Sequence, residues 1–363
     1  MSDVNKEWKD IPEEEEALDP NSDPRNVELP KAGKSDSKFA LELASKIPKD
    51  VLFVRNGEAV TVEEPDIEEG KNRDRSPCIR VMDATRFALW VEKFVITGVW
   101  VQDKETKKWD FKAKTMRPET ANRVLSDDGF LDSRFRIRRI IDVPIPIRDG
   151  DMKIVYPKPG YNPDLEVYCV PLDFEIEVMT VEEADKVFDN FFNDFCFKDY
   201  DPHNPDPDHC QSMVHMRARM ITPGCRGLMG FDARPPLWIY RANRPRAGKE
   251  TANGIAQVTW LGCYFEDPPL KGNSEENSKR IMTYGESARR EVHWANCQTK
   301  VEDANFIQTQ TSSTINGRRM CKNDASGDRQ LPNEVQHSIS LNTGTEMRAD
   351  VPPRSRIIDL EFF

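Results

Sequence analysis

The stretch PPLWIYRANRPRAGKETANGIAQVTWL, residues 235–261, decides how the rest of the chain is read. Leu237, Trp238, Ile239 and Tyr240 make a short continuous apolar run, the pattern of a buried strand, which Pro245 and Gly248 then interrupt. From Glu250 onward Ile255, Val258, Trp260 and Leu261 recur like the inner face of a helix beginning beside Lys249. A strand, a loop ending in Gly-Lys and a helix together form an arrangement that can hold a polyphosphate. Backbone N–H groups and the positive helix end face the anion, and the lysine neutralises its charge. Asn243, Arg246, Ala247, Gly248, Lys249, Glu250 and Thr251 are therefore the candidate phosphate-contacting residues, with Lys249 foremost. The pattern G-x-x-x-x-G-K-[ST] is met only at Gly248-Lys249. Asn243 stands at its first glycine, and Glu250 stands where a hydroxyl would meet magnesium. Thr251 comes one residue late, a rotation of roughly 100° on a helix. A structural loop is the competing reading of so short a match.

At 363 residues the chain can bury a large core and accommodate two domains. A formal net charge of −11 argues against a generally basic nucleic-acid coat and leaves local basic patches open. No apolar run is long enough to cross a bilayer, and the acidic start MSDVNKEWKDIPEEEE lacks a signal-peptide core, so a soluble cytoplasmic protein without a membrane partner is expected. The eight cysteines are dispersed without a CxxC pair, as reduced thiols would be. His203, His209, Cys210 and His215 are transition-metal ligand types, but their spacing fits no zinc pattern and the prolines and aspartates around them suit an exposed loop.

Taken in order, residues 1–37 are acidic and poor in large apolar groups and are expected to form a disordered tail. Residues 38–47 suit a helix, and VLFVRNGEAVTV suits a hairpin around Asn56-Gly57. A helix over 84–94, paired strands over 95–110 and a helix over 117–125 opened by Pro118 follow. In SRFRIRRIIDVPIPI, Arg136, Arg138 and Arg139 alternate with or flank Phe135, Ile137 and Ile140. That strand either presents cations to a phosphate backbone or is half-buried with a solvated face. PGYNP at 159–163 marks the expected boundary between a mixed α+β domain, 38–158, and a second domain, 159–363. An amphipathic helix over 181–192 and a helix over 213–229 broken at Pro223-Gly224 lead to the strand before Lys249.

Downstream, a helix over 278–284, the strand EVHWAN, a helix over 304–311, the turn LPNE, the strand HSISLN ending at Asn342, and a last strand over 357–360 preceded by Arg354 and Arg356 alternate regularly. The succession from GYNP through ANRPRAGK, WAN, LPNE and SLNTG to DVPPRSR resembles the AAA+-type ATPase domain of primase-helicase proteins of phages, plasmids and integrated elements, near the superfamily 3 helicases. The likeness covers roughly the C-terminal 200 residues. It implies an α/β P-loop NTPase fold with a parallel sheet and helices on both faces, ATP and Mg2+ as cofactors, ATP hydrolysis with helicase-like action on DNA, and a homo-oligomeric ring with a primase or second helicase polypeptide as possible partner. By the same resemblance Lys249 would bind the β- and γ-phosphates, Asn342 would be the polar sensor, and Arg354 or Arg356 the finger reaching a neighbour's nucleotide. Arg318, Arg319, Lys322 and Arg329 would lie near a DNA-facing hairpin. Relatives usually continue past the point where Phe363 ends this chain.

Two departures matter. Ala295 stands where the family has a magnesium-holding acid, and Glu250 replaces the magnesium-binding hydroxyl. A carboxylate about 4 Å from a phosphate oxygen costs on the order of 4 kcal/mol without an intervening cation. The two changes compensate if Glu250 supplies from the helix the carboxylate that the strand lacks. The alternative is a decayed phosphate site on a scaffold that binds DNA or organises an assembly.

Overall fold

The structure, a computed structural model, describes residues 21–30, 35–63, 77–171, 177–200, 210–229, 234–264, 266–270, 274–297, 314–317, 329–342, 346–347, 349 and 351–361. The chain is α/β and separates into two compact units, residues 1–59 with 81–135 and residues 60–80 with 136–363.

The second unit is organised on a four-stranded, wholly parallel sheet. Its elements in chain order are helix α1 (Gln211–Cys225), strand β1 (Leu237–Ala242), helix α2 (Lys249–Leu261), helix α3 (Ser274–Glu286), and strands β2 (Glu291–Cys297), β3 (Gln336–Asn342) and β4 (Ser355–Leu360). Across the sheet the order is β2-β3-β1-β4. The apolar run at 237–240 is continuous because both faces of β1 are buried. Leu237 and Ile239 enter a core with Val292, Trp294, Ile339 and Ile281, while Trp238 and Tyr240 enter another with Met213, Met216, Ala252 and Ala256. The expected strand at 291–296 extends to Cys297, and the helix expected at 278–284 runs from Ser274 to Glu286. The helix expected over 304–311 lies outside the described residues.

The helix expected to break at Pro223-Gly224 instead continues through both to Cys225. Gly224 is required there, since a Cβ would stand 2.4 Å from the Trp260 ring, whose Nε1 donates to the Met220 carbonyl at 2.6 Å. Tertiary packing of Trp260 outweighs the local cost of proline.

The first unit packs helices Asp36–Lys46, Ala84–Trp90 and Pro118–Leu125 around Phe39, Leu43, Phe87, Val91 and Phe130. A three-stranded sheet is ordered Asn26–Glu28, Ile96–Gln102, Trp109–Ala113. Residues 26–28 fall inside the stretch read as an acidic tail, yet Val27 is fully buried there. Ladder bonds to 96–98 and burial of one valine order a segment whose composition alone predicts none. The expected hairpin forms from Phe53–Arg55 and Glu58–Glu63, with Asn56 at φ 53° and Gly57 at φ 79° as a two-residue turn demands.

Candidate functional site

The loop after β1 leaves the carboxyl edge of the parallel sheet. From β1 the chain passes to β2 at one edge, returns as β3 beside β1, and ends as β4 on the other side of β1. Such a reversal of direction opens a crevice at the strand ends, where open α/β sheets bind ligands. Asn243, Arg244, Pro245 and Arg246 are exposed in this loop, with Arg246 at φ 63°. Gly248, which caps α2, has φ 86°, a conformation costly to any residue with a Cβ, and an added Cβ would meet the Phe195 ring at 3.3 Å.

Lys249 opens α2 and is only 4% exposed. Its Nζ donates to the Leu341 carbonyl at 3.0 Å and to Asn342 Oδ1 at 2.6 Å, both at the end of β3. Burial lowers its pKa, partly offset by the nearby charge of Glu250. Among the described residues it makes no ion pair, so this desolvated ammonium is held by neutral oxygens only.

Glu250 sits one residue into the helix, and its Oε1 accepts from Ser340 Oγ at 2.9 Å. Ser340 Oγ in turn accepts the Asn296 N–H at 2.8 Å. The ladder between β2 and β3 shifts register between Trp294 and Cys297, with Asn296 at φ 50°. Ala295 therefore lies in a bulge, and its N–H donates to the Asp267 carbonyl at 3.1 Å. A cavity of about 450 Å3 runs along the outer side of α2, lined by Glu250, Thr251, Ile255, Tyr264 and Glu266 among others. Burial first, and the charge of Glu250 second, raise the Glu266 pKa. Thr251 lines this cavity.

Below these residues the contact between α2 and β3 is polar. Ser338 Oγ lies 2.8 Å from His293 Nδ1 and donates to Asn253 Oδ1 at 3.0 Å. Burial and the charge of Arg219 push His293 down to about 3, so it is neutral. At the far end Arg219 forks onto Glu291 at 3.2 and 2.6 Å, with the Gln336 amide oriented to accept from Arg219 and Trp238. Ser340, Ser338 and Glu266 were not among the residues singled out from the sequence. The signal for the serines was present: Gln336, Ser338, Ser340 and Asn342 alternate along β3 and give it one polar face.

Among the described residues, none of the remaining candidates joins Lys249. Arg354 is exposed just before β4, level with the start of β1, at the opposite end of the sheet from Lys249. Arg356 donates to the Ser355 carbonyl at 2.8 Å. Arg318, Arg319 and Lys322 lie outside the described residues, as does the Arg329 side chain, although its backbone begins the strand Arg329–Pro332. His203 and His209 also lie outside them. Cys210 is buried and accepts the Met213 N–H, His215 Nδ1 bonds the Ile357 carbonyl, and no group of metal-ligand residues assembles among the described residues.

Of the two readings of the strand carrying Arg136, Arg138 and Arg139, the half-buried one fits: Arg138 and Arg139 are half-buried and Arg136 is exposed. Arg138 and Arg139 both fork onto Glu334 of the LPNE turn at 2.7–3.2 Å, so their charge is spent inside the fold. Burial alone would raise the Glu334 pKa, but these two guanidiniums hold it down at about 2.

No protein-family model matches the chain, and no curated protein matches it. Among solved structures it is similar to the apo A form of the NrS-1 C-terminal region, at 11% identity and TM-score 0.35 over 79% of this chain and 56% of that one. It is also similar to a structure of residues 305–718 of that region, at 10% identity and TM-score 0.33 over 78% and 62%. The chain thus spans less than two thirds of the structures it matches, and the likeness is too slight to assign a fold. No helix among the described residues is long and apolar enough to cross a membrane.

Proposed function

We propose that the loop 243–248 and Lys249 bind the polyphosphate of a magnesium nucleotide, in an ATP-hydrolase-like, helicase-like component of mobile-element DNA replication. The observation carrying the nucleotide reading is Lys249 itself: a buried ammonium hydrogen-bonded only to the neutral Leu341 carbonyl and Asn342, with Glu250 as a nearby charge, at the strand-end crevice of a parallel sheet and directly after Gly248 at φ 86°. An incoming phosphate would supply an acceptor of full negative charge where the ammonium now bonds only neutral oxygens. The order β2-β3-β1-β4, with the loop strand flanked by the strand ending in Asn342, also supports a P-loop NTPase fold.

In this reading Asn342 orients Lys249 and stands close to the terminal phosphate, where it could report its presence. Glu250, oriented by Ser340, would hold magnesium, with Glu266 in the same cavity as a second acid. Bound there, magnesium would supply the positive charge that lets a carboxylate and a triphosphate share one helix end. Arg354 cannot reach its own chain's loop, so its role as a finger requires a neighbouring subunit in a ring. The replication role and DNA as partner rest on the sequence resemblance alone.

One observation favours a second reading, the decayed scaffold. Glu250 is fixed by Ser340 at the very helix end an anion would approach, and without metal it repels. Calorimetric titration of ATP with magnesium into the wild type and Lys249→Ala separates the two. Binding lost in the variant supports the nucleotide site, and no binding by the folded wild type leaves the scaffold.

A further inference from the structure

Helix α2 inverts the usual distribution of side chains. Asn253 and Gln257 are buried, while Val258, which the spacing of apolar residues assigns to the inner face, is 46% exposed. Val258 and Ile255 instead line the cavity of about 450 Å3, which extends from Glu250 and Thr251 to Thr259. That is two turns, about 12 Å along the helix.

Two aromatic rings wall this cavity. Past the end of α2, Gly262 at φ 68° turns the chain back, and Tyr264 comes to lie over Gly254, where a Cβ would meet its ring at 3.7 Å. The other ring is Phe191, from the helix Val181–Phe192. Phe192 enters the core with Trp238 and Tyr240, and the preceding position, turned by about 100°, leaves Phe191 58% exposed. Small-molecule sites of about 300–1,000 Å3 are built in this way, mostly apolar with a few polar groups.

The polar groups are unevenly placed. Glu250 stands at the helix start, beside the loop 243–248, and Glu266 is near enough to feel its charge. Apart from these two, the described lining side chains offer only the hydroxyls of Thr251, Thr259 and Tyr264, and that of Thr259 already donates to the Ile255 carbonyl at 2.9 Å. A hydroxyl donates and accepts alike, so it does not tell one base edge from another.

On the reading that loop 243–248 and Lys249 hold the polyphosphate, we infer that this cavity receives the sugar and base of the same nucleotide, with the base stacked against Tyr264 and Phe191, and that it takes adenine and guanine alike. Stacking uses the π-face that every base has.

Isothermal titration of ATP, GTP and inorganic tripolyphosphate, each in excess magnesium, into the full chain tests this. ATP and GTP are expected to bind within about threefold of each other and about tenfold tighter than tripolyphosphate. Tyr264→Ala and Phe191→Ala are each expected to weaken nucleotide binding about tenfold and leave tripolyphosphate binding unchanged, and Tyr264→Phe to keep most of the nucleotide affinity. Thermal melting of each variant at the wild-type temperature shows that the fold is kept. Tripolyphosphate binding as tightly as ATP overturns the inference and leaves the phosphate site standing, as do folded alanine variants that bind nucleotide like wild type. So does a preference beyond about tenfold for one purine, the mark of hydrogen bonds to a base edge. If none of the three ligands binds, the phosphate reading fails and the base site falls with it.

Discussion

The ammonium of Lys249 stands 2.6 Å from Oδ1 of Asn342, with no carboxylate bonded to it. A buried cation held by a carbonyl and an amide costs stability that a neutral apolar side chain would not. Lys249→Met is therefore expected to raise stability by about 1 kcal/mol in denaturant unfolding while removing polyphosphate binding. A loss of both would mean that the lysine is structural.

Burial lowers the folded-state pKa of Lys249, so between that value and the unfolded value near 10.5 the unfolded chain binds more protons. Stability is expected to rise with pH across this alkaline window, and Lys249→Met should abolish that component. Bound polyphosphate favours the charged amine, so titration in the same window should take up protons. Calorimetry in buffers of different ionisation heat measures the uptake.

If Glu250 carries magnesium, Glu250→Gln abolishes metal-dependent nucleotide binding, and Glu250→Ser with Ala295→Asp returns it. Isothermal titration with ATP, with and without magnesium, reads both. Unchanged binding in Glu250→Gln would remove Glu250 from the site and leave its bond to Ser340 as packing.

Glu334 is held at about 2 by Arg139 and Arg138, against an ordinary value of 4.5. A carboxylate whose folded pKa is depressed stabilises above its unfolded pKa and loses that contribution as pH falls through the folded one. About 3 kcal/mol should disappear between pH 4.5 and 2, and Glu334→Gln should flatten this part of the acid-unfolding curve.

Arg219 and Glu291 are 1% and 4% exposed and pair at 2.6 Å. Glu291→Gln leaves the guanidinium buried without its counter-charge and is expected to cost about 3–5 kcal/mol. Arg219→Met with Glu291→Leu should recover most of it in thermal or chemical unfolding.

Much of the architecture was legible. The strand 237–242, the helix from Lys249, the turn at Asn56-Gly57 and the strands ending at Cys297 and Asn342 follow from short apolar runs and glycine chemistry, which act within a few residues. What was not legible shares a cause. Glu334 could not be named as the partner of Arg138 and Arg139 because it is almost 200 residues away, and residues 26–28 looked disordered because the strand that orders them comes some 70 residues later.

The sequence by itself determined the local elements and the Gly-Lys bend, since backbone propensity and alternation are energies of neighbouring residues. Only the tertiary structure decided what that bend faces. Lys249 meets Asn342 across 93 residues of chain, and Glu250 meets Ser340 across 90, because β3 inserts between β1 and β2 in a parallel sheet. The order of strands in a sheet is chosen by how whole faces bury one another, which no short stretch of residues encodes.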